Sequence, residues 1–125
     1  MIGQQAQHLP PPPPPPAIYD PVAGPFIVRL NEKEEIGGDQ YGVIANAMRN
    51  WSGPTLQAFT ICFRSSNEHV DWTAVFKALK IVSRELKARG AQIVVMPSGG
   101  LCAPSSPRPN WKGPYVEIMG VVRTE

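Results

Sequence analysis

"FTICFRSSNEHVDWTAVFKALKIVSRELKARGAQIVV", Phe59 to Val95, joins two short apolar runs through a polar loop and a long amphipathic stretch. Trp72, Val75, Phe76, Leu79, Val82 and Leu86 recur at helical spacing and predict one apolar stripe, with Lys77, Lys80, Arg84 and Lys87 mostly off it. Asp71 stands at the N-cap position, and Val70 is placed to close on Val75 as a hydrophobic staple. Gly90, after Lys87 and Arg89, stops the helix with cations near its negative pole. Before it, Phe59, Ile61 and Phe63 alternate with Ala58, Thr60 and Cys62, which predicts a strand over Gln57 to Phe63 with both faces covered. After it, Ile93-Val94-Val95-Met96 reads as a buried strand ended by Pro97.

Outward from this unit, Phe26-Ile27-Val28-Arg29-Leu30 follows Gly24-Pro25 and reads as a first strand. The stretch from Asn31 to Asp39, with Glu32, Glu34 and Glu35, reads as a solvated acidic connection. Tyr41, Ile44, Met48 and Trp51 then make a second helical stripe, stopped by Ser52-Gly53-Pro54. Tyr115 to Val122 supplies a closing strand, with Val116 and Ile118 on one face. The expected class is α/β (α+β): a two-layer sandwich of β-α-β-α-β-β order, with right-handed crossovers placing both helices on one side of the sheet. Pro97 to Pro114 is a long connection whose prolines, Pro97, Pro104, Pro107, Pro109 and Pro114, suit a fixed path over the surface.

The chain has 125 residues, enough for one domain. The consecutive prolines Pro10 to Pro16 lack the N–H that a helix or sheet needs, and read as a polyproline II rod of about 3.1 Å per residue. Residues 1–23 are therefore expected to be a Pro-rich linker, and residues 24–125 the domain. A net charge of +2, with both signs interspersed, argues against nucleic acid or an anionic membrane as the main partner. No apolar run approaches the roughly 20 residues that span a bilayer, so no transmembrane segment is expected. The opening residues lack the basic and apolar regions of a signal peptide, so the chain is either not exported or a mature or trimmed form. Cys62 and Cys102 are too few for a disulfide framework. They either pair in an oxidising compartment or sit buried as small apolar residues.

Taken together, these features resemble the OmpA-like domain, the periplasmic module that anchors bacterial envelope proteins to peptidoglycan. The resemblance runs from Gly24 to Val122. It rests on the Pro-rich approach to Gly24-Pro25-Phe26-Ile27-Val28, the order and length of the elements, the helix ending Leu86-Lys87-Ala88-Arg89-Gly90, and Val116-Glu117-Ile118 in the closing strand. It implies a periplasmic or outer-membrane-associated location, protein partners in an envelope assembly, and no cofactor. In the family an Asp after the second strand and an Arg in the second helix grip the diaminopimelate of the peptide stem. Here the Asp position falls on Ser65 or Ser66 and the Arg position on Ala78. Asp71 replaces an Asn, Ala74-Val75 a Leu-Ser pair, and Pro114-Tyr115 a basic pair. A Ser and an Ala cannot meet both charges of that ligand, so the expectation is a fold kept and a peptidoglycan grip lost.

If a ligand site remains, the crevice at the C-terminal end of the second strand is where it is expected, at Arg64, Ser65, Ser66 and Asn67, with Arg108 and Lys112 as neighbours. Trp72 reads as core; Trp111, among Pro, Asn and Lys, reads as an exposed anchor that meets a partner together with Arg108 and Lys112. His69 near Asp71 and Cys62 permits a nucleophile-and-base reading, but a strand end and a helix cap account for all three. Two Cys and two His at scattered spacing match no metal pattern, so no metal is expected. Ser98-Gly99-Gly100 lacks the Lys-Ser and the following helix of a phosphate loop. The favoured function is a non-catalytic structural or protein-interaction module of the bacterial envelope. The alternatives are a peptidoglycan anchor using shifted residues and a small enzyme using Cys62 and His69.

Overall fold

The computed structural model describes residues 18–51, 58–66, 69–103 and 110–124. The polyproline run, Asn67 and Arg108 lie outside them. The chain forms β1 (Ile18–Arg29), α1 (Tyr41–Asn50), β2 (Ala58–Arg64), α2 (Trp72–Ala88), β3 (Ile93–Val95) and β4 (Tyr115–Thr124). Single 3-10 turns lie at Gly38–Gln40 and Pro97–Gly100. The class is mixed α+β: one four-stranded sheet with two helices. The strand order is β1-β4-β2-β3, with β4 antiparallel to both β1 and β2, and β3 parallel to β2.

The pairing aligns side chains into rows. Val28, Val116 and Phe63 lie side by side across β1, β4 and β2, and Phe26, Ile118 and Ile61 form the next row. These rows face the helices and join Ile44, Ala47 and Met48 of α1 and Val75, Leu79, Val82 and Leu86 of α2 in one core. Removing that apolar surface from water, at about 25 cal/mol per Å², is the main force holding the two layers together. No helix among the described residues is long and apolar enough to cross a membrane.

Three expectations are corrected. The first strand begins at Ile18, inside the stretch 1–23 read as linker. The reason lies in β4, which runs on to Thr124 and so presents backbone groups that Ile18 to Pro21 pair with. Pro21 is tolerated because β1 is an edge strand. The pairing shifts register around Gly24, whose φ of 114° and 2.9 Å approach of a notional Cβ to the Ile118 carbonyl exclude a side chain.

The second correction concerns α2. Asp71 caps it as expected, accepting hydrogen bonds from the N–H groups of Thr73 and Ala74. Its buried face, however, is Val75, Ala78, Leu79, Val82, Ser83 and Leu86; Trp72 is 46% exposed and Phe76 54% exposed. Phe76 is one step of about 100° beyond Val75, so it leaves the core and is exposed. Trp72, at the first turn, stacks on Phe76 with ring centroids 5.6 Å apart instead of entering the core. The third correction is Glu34, expected in a solvated loop but buried at a φ of 59°. The Asn31 carboxamide oxygen accepts from the N–H groups of Lys33 and Glu35 and fixes that turn.

Trp51 closes the core against β4 at Gly120, where an added Cβ would stand 2.7 Å from the indole Cγ and 3.1 Å from Cβ of Trp51. Those atoms sit close to the backbone and cannot swing away. Gly120→Val is therefore expected to destabilise the fold by about 1–3 kcal/mol, read as a lower urea midpoint at unchanged slope.

Candidate functional site

Strand alternation places Thr60, Cys62 and Arg64 of β2 beside Met119, Glu117 and Tyr115 of β4, on the sheet face turned away from the helices. Of the long connection after Met96, the described residues Leu101 to Ala103 come back beside β2. Leu101 bridges to Phe63, and the Cys102 N–H donates to the Phe63 carbonyl at 2.9 Å. That seats Cys102 on Cys62, and the two are joined by a disulfide. Arg64 adds a second fastening. Its Nε donates to the Tyr115 hydroxyl at 2.7 Å and its Nη2 to the Ala103 carbonyl at 3.0 Å, with the guanidinium over the Tyr115 ring. At the far end of the connection, Trp111 Nε1 donates to the Pro114 carbonyl at 3.0 Å, and the ring lies under the Arg29 guanidinium.

The residues expected to line a ligand crevice are thus differently engaged. Arg64 is committed to Tyr115 and Ala103, Ser65 is half-buried, and Ser66 is exposed. Trp111 is 37% exposed and partly tied down, while Lys112 is exposed. His69 is exposed, and the side chain lying against the Cys62 sulfur is Glu117.

Glu117 was legible in the sequence only as part of Val116-Glu117-Ile118. It is buried, with Oε2 at 3.2 Å from Cys62 Sγ and 3.8 Å from Cys102 Sγ. Burial pushes its pKa above the ordinary value of 4.5, against the opposing pull of the Arg64 charge. Disulfide sulfurs carry no proton, so any proton shared between the two groups would have to come from Glu117. A strand's alternation could have placed this carboxyl opposite to the core, but only the β2–β4 register puts it against the cysteines.

A second feature lies on the helix side. The outer flank of α2 and Met96, just past β3, wall a groove of about 790 Å³. Its apolar surface comes from Phe76, Ala88 and Met96; Lys80, Arg84 and Lys87 supply cations, and Ser83 a hydroxyl. Among the described residues no carboxylate pairs with those three cations, and no strand lies on the outer side of β3. Comparison with family models, curated proteins and solved structures finds no match.

Two outcomes follow from the stapled face. The disulfide closes a separation of 40 residues; replacing both cysteines by Ala is expected to cost about 3–4 kcal/mol in urea unfolding. Glu117 binds its proton more tightly folded than unfolded, so its contribution to stability is full below the ordinary value of 4.5 and is lost as pH rises through the raised folded value. Thermal melts across that range should show wild type losing stability relative to Glu117→Gln as pH increases.

Proposed function

We propose that this chain is a non-catalytic protein-interaction module of the bacterial envelope, OmpA-like in architecture and without a peptidoglycan grip. Its docking surface is the α2–β3 groove, and its occupant is an extended, acidic segment of a partner protein. The observation that carries this reading is the groove itself: exposed Phe76 and Met96, beside them an edge strand with no outer neighbour among the described residues, and a rim of cations with no carboxylate of the described residues paired to them. A strand laid beside β3 would gain backbone hydrogen bonds, send alternate apolar side chains toward Phe76 and Met96, and meet Lys80, Arg84 and Lys87 with its acids.

Two further observations support it. Ala78, at the position where the OmpA-like resemblance expects a ligand-gripping Arg, is 3% exposed and packed in the core, so that position offers no cation to a peptide stem. The disulfide fits an oxidising compartment such as the periplasm.

The full chain titrated with a peptide of alternating Val and Glu should bind with an affinity that falls as salt rises. Lys80→Glu with Arg84→Glu should weaken it at least about tenfold, or about 1.4 kcal/mol, and Phe76→Ser should weaken it without the salt dependence changing. Equal binding of a Val/Lys peptide, or saturable retention of the chain on purified sacculi, would overturn the reading.

A further inference from the structure

The stapled face holds a chemical group that docking does not use. Glu117 is a carboxyl buried in the sheet with its Oε2 directed at a disulfide, whereas a purely mechanical cross-link needs no acid beside it. Both Cys62 and Cys102 are only half-buried, so the bond is within reach of a thiol from solvent. We propose that Cys62–Cys102 is an exchangeable disulfide, reduced by an external dithiol, in which Glu117 delivers the proton to the departing Cys62 sulfur.

The geometry assigns the roles of the two sulfurs. Cys62 Sγ is the one in short contact with Glu117, at 3.2 Å against 3.8 Å for Cys102 Sγ. A thiolate of the dithiol attacks Cys102 Sγ and forms a mixed disulfide. The Cys62–Cys102 bond breaks, its electron pair leaves on Cys62 Sγ, and that sulfur takes the Glu117 proton, leaving a thiol and a carboxylate. The dithiol's second thiol then attacks its own sulfur in the mixed disulfide and releases Cys102, which takes the proton that second thiol gives up. The dithiol ends as a disulfide, Cys62 and Cys102 end as two thiols, and Glu117 regains a proton from solvent. The Cys62 sulfur is a better leaving group when protonated as it departs, and the Glu117 carboxyl stands 3.2 Å away to supply that proton.

The groups around Glu117 fit both halves of that transfer. From β2 it faces Cys62 and Arg64, from the long connection Cys102, and along β4 Tyr115; Ile27 lies opposite on β1, with Arg29 one same-face step further. Burial favours the protonated acid before the transfer, and the Arg64 charge stabilises the carboxylate after it. Arg64 also holds the Ala103 carbonyl, so the connection keeps one tether to the sheet when the sulfur bridge opens.

Reduction of the full-length protein by dithiothreitol, followed by rapid alkylation and mass spectrometry, tests this directly. Glu117→Gln, which keeps the shape but has no transferable proton, is expected to be reduced at least about tenfold more slowly at mildly acidic pH. It should also lose the fall in rate constant per thiolate that wild type shows as Glu117 deprotonates. Glu117→Asp should recover part of the rate. With glutathione as a monothiol, the trapped adduct should sit on Cys102. An adduct on Cys62, a Glu117→Gln protein reduced at the wild-type rate with the wild-type pH profile, or wild-type reduction no faster than global unfolding would each overturn the proposal. Far-UV spectra of the oxidised variants establish that each compared protein is folded.

Discussion

The structure depends on β4. It is the last strand in sequence, yet it lies between β1 and β2 and pairs antiparallel with each. Without it, the first strand would have no hydrogen-bonding neighbour, and the rows Val28–Val116–Phe63 and Phe26–Ile118–Ile61 would be broken at their centre. Backbone groups at that position cannot be left unpaired inside a core, so the continuous apolar surface on which the helices rest exists only with the C-terminal strand in place. Contacts between chain ends are therefore built into the topology, and folding must close the longest loop in the chain to form them.

The same strand divides the molecule into two chemistries. Its even side, Val116 and Ile118, is core, and its odd side, Tyr115 and Glu117, carries the fastenings of the long connection. The disulfide and the Arg64 hydrogen bond to Ala103 fasten the start of that connection to the sheet on the face turned away from the helices. Among the described residues nothing comparable covers the outer flank of α2, where aromatic and cationic side chains are exposed. One face carries covalent and charge-assisted fastenings; the other carries the groove proposed as the docking surface.

Much of the fold was legible because it follows from periodicity. The Leu79–Val82–Leu86 stripe, the Asp71 cap and the Phe59–Ile61–Phe63 alternation need only local geometry, and all lie where the sequence puts them. Trp72 and Phe76 were misplaced because a helical stripe says which side faces inward but not where the sheet beneath it stops; here it stops at the three residues of β3. Ile18 to Pro21 were hidden because a proline argues against a strand unless that strand is known to be an edge. The site was least legible of all. Arg64 was singled out for its charge, but its partners Tyr115 and Ala103 arrive from distant sequence, and Glu117 gains meaning only through a register that no local pattern encodes.

That register has a consequence for errors in assembly. Ile118 pairs with Ile61 while Glu117 pairs with Cys62, so neighbouring residues of β4 belong to opposite environments. A slip of one residue would turn Glu117 toward Phe63 and Ile61, burying a carboxyl among hydrocarbon, and would carry Ile118 out beside the cysteines. The carboxyl thus penalises any pairing of β4 displaced by an odd number of residues, and the sulfur bridge can lock only an alignment that sets Cys62 beside Cys102. Glu117 acts as a proofreader of the sheet before any thiol reaches it.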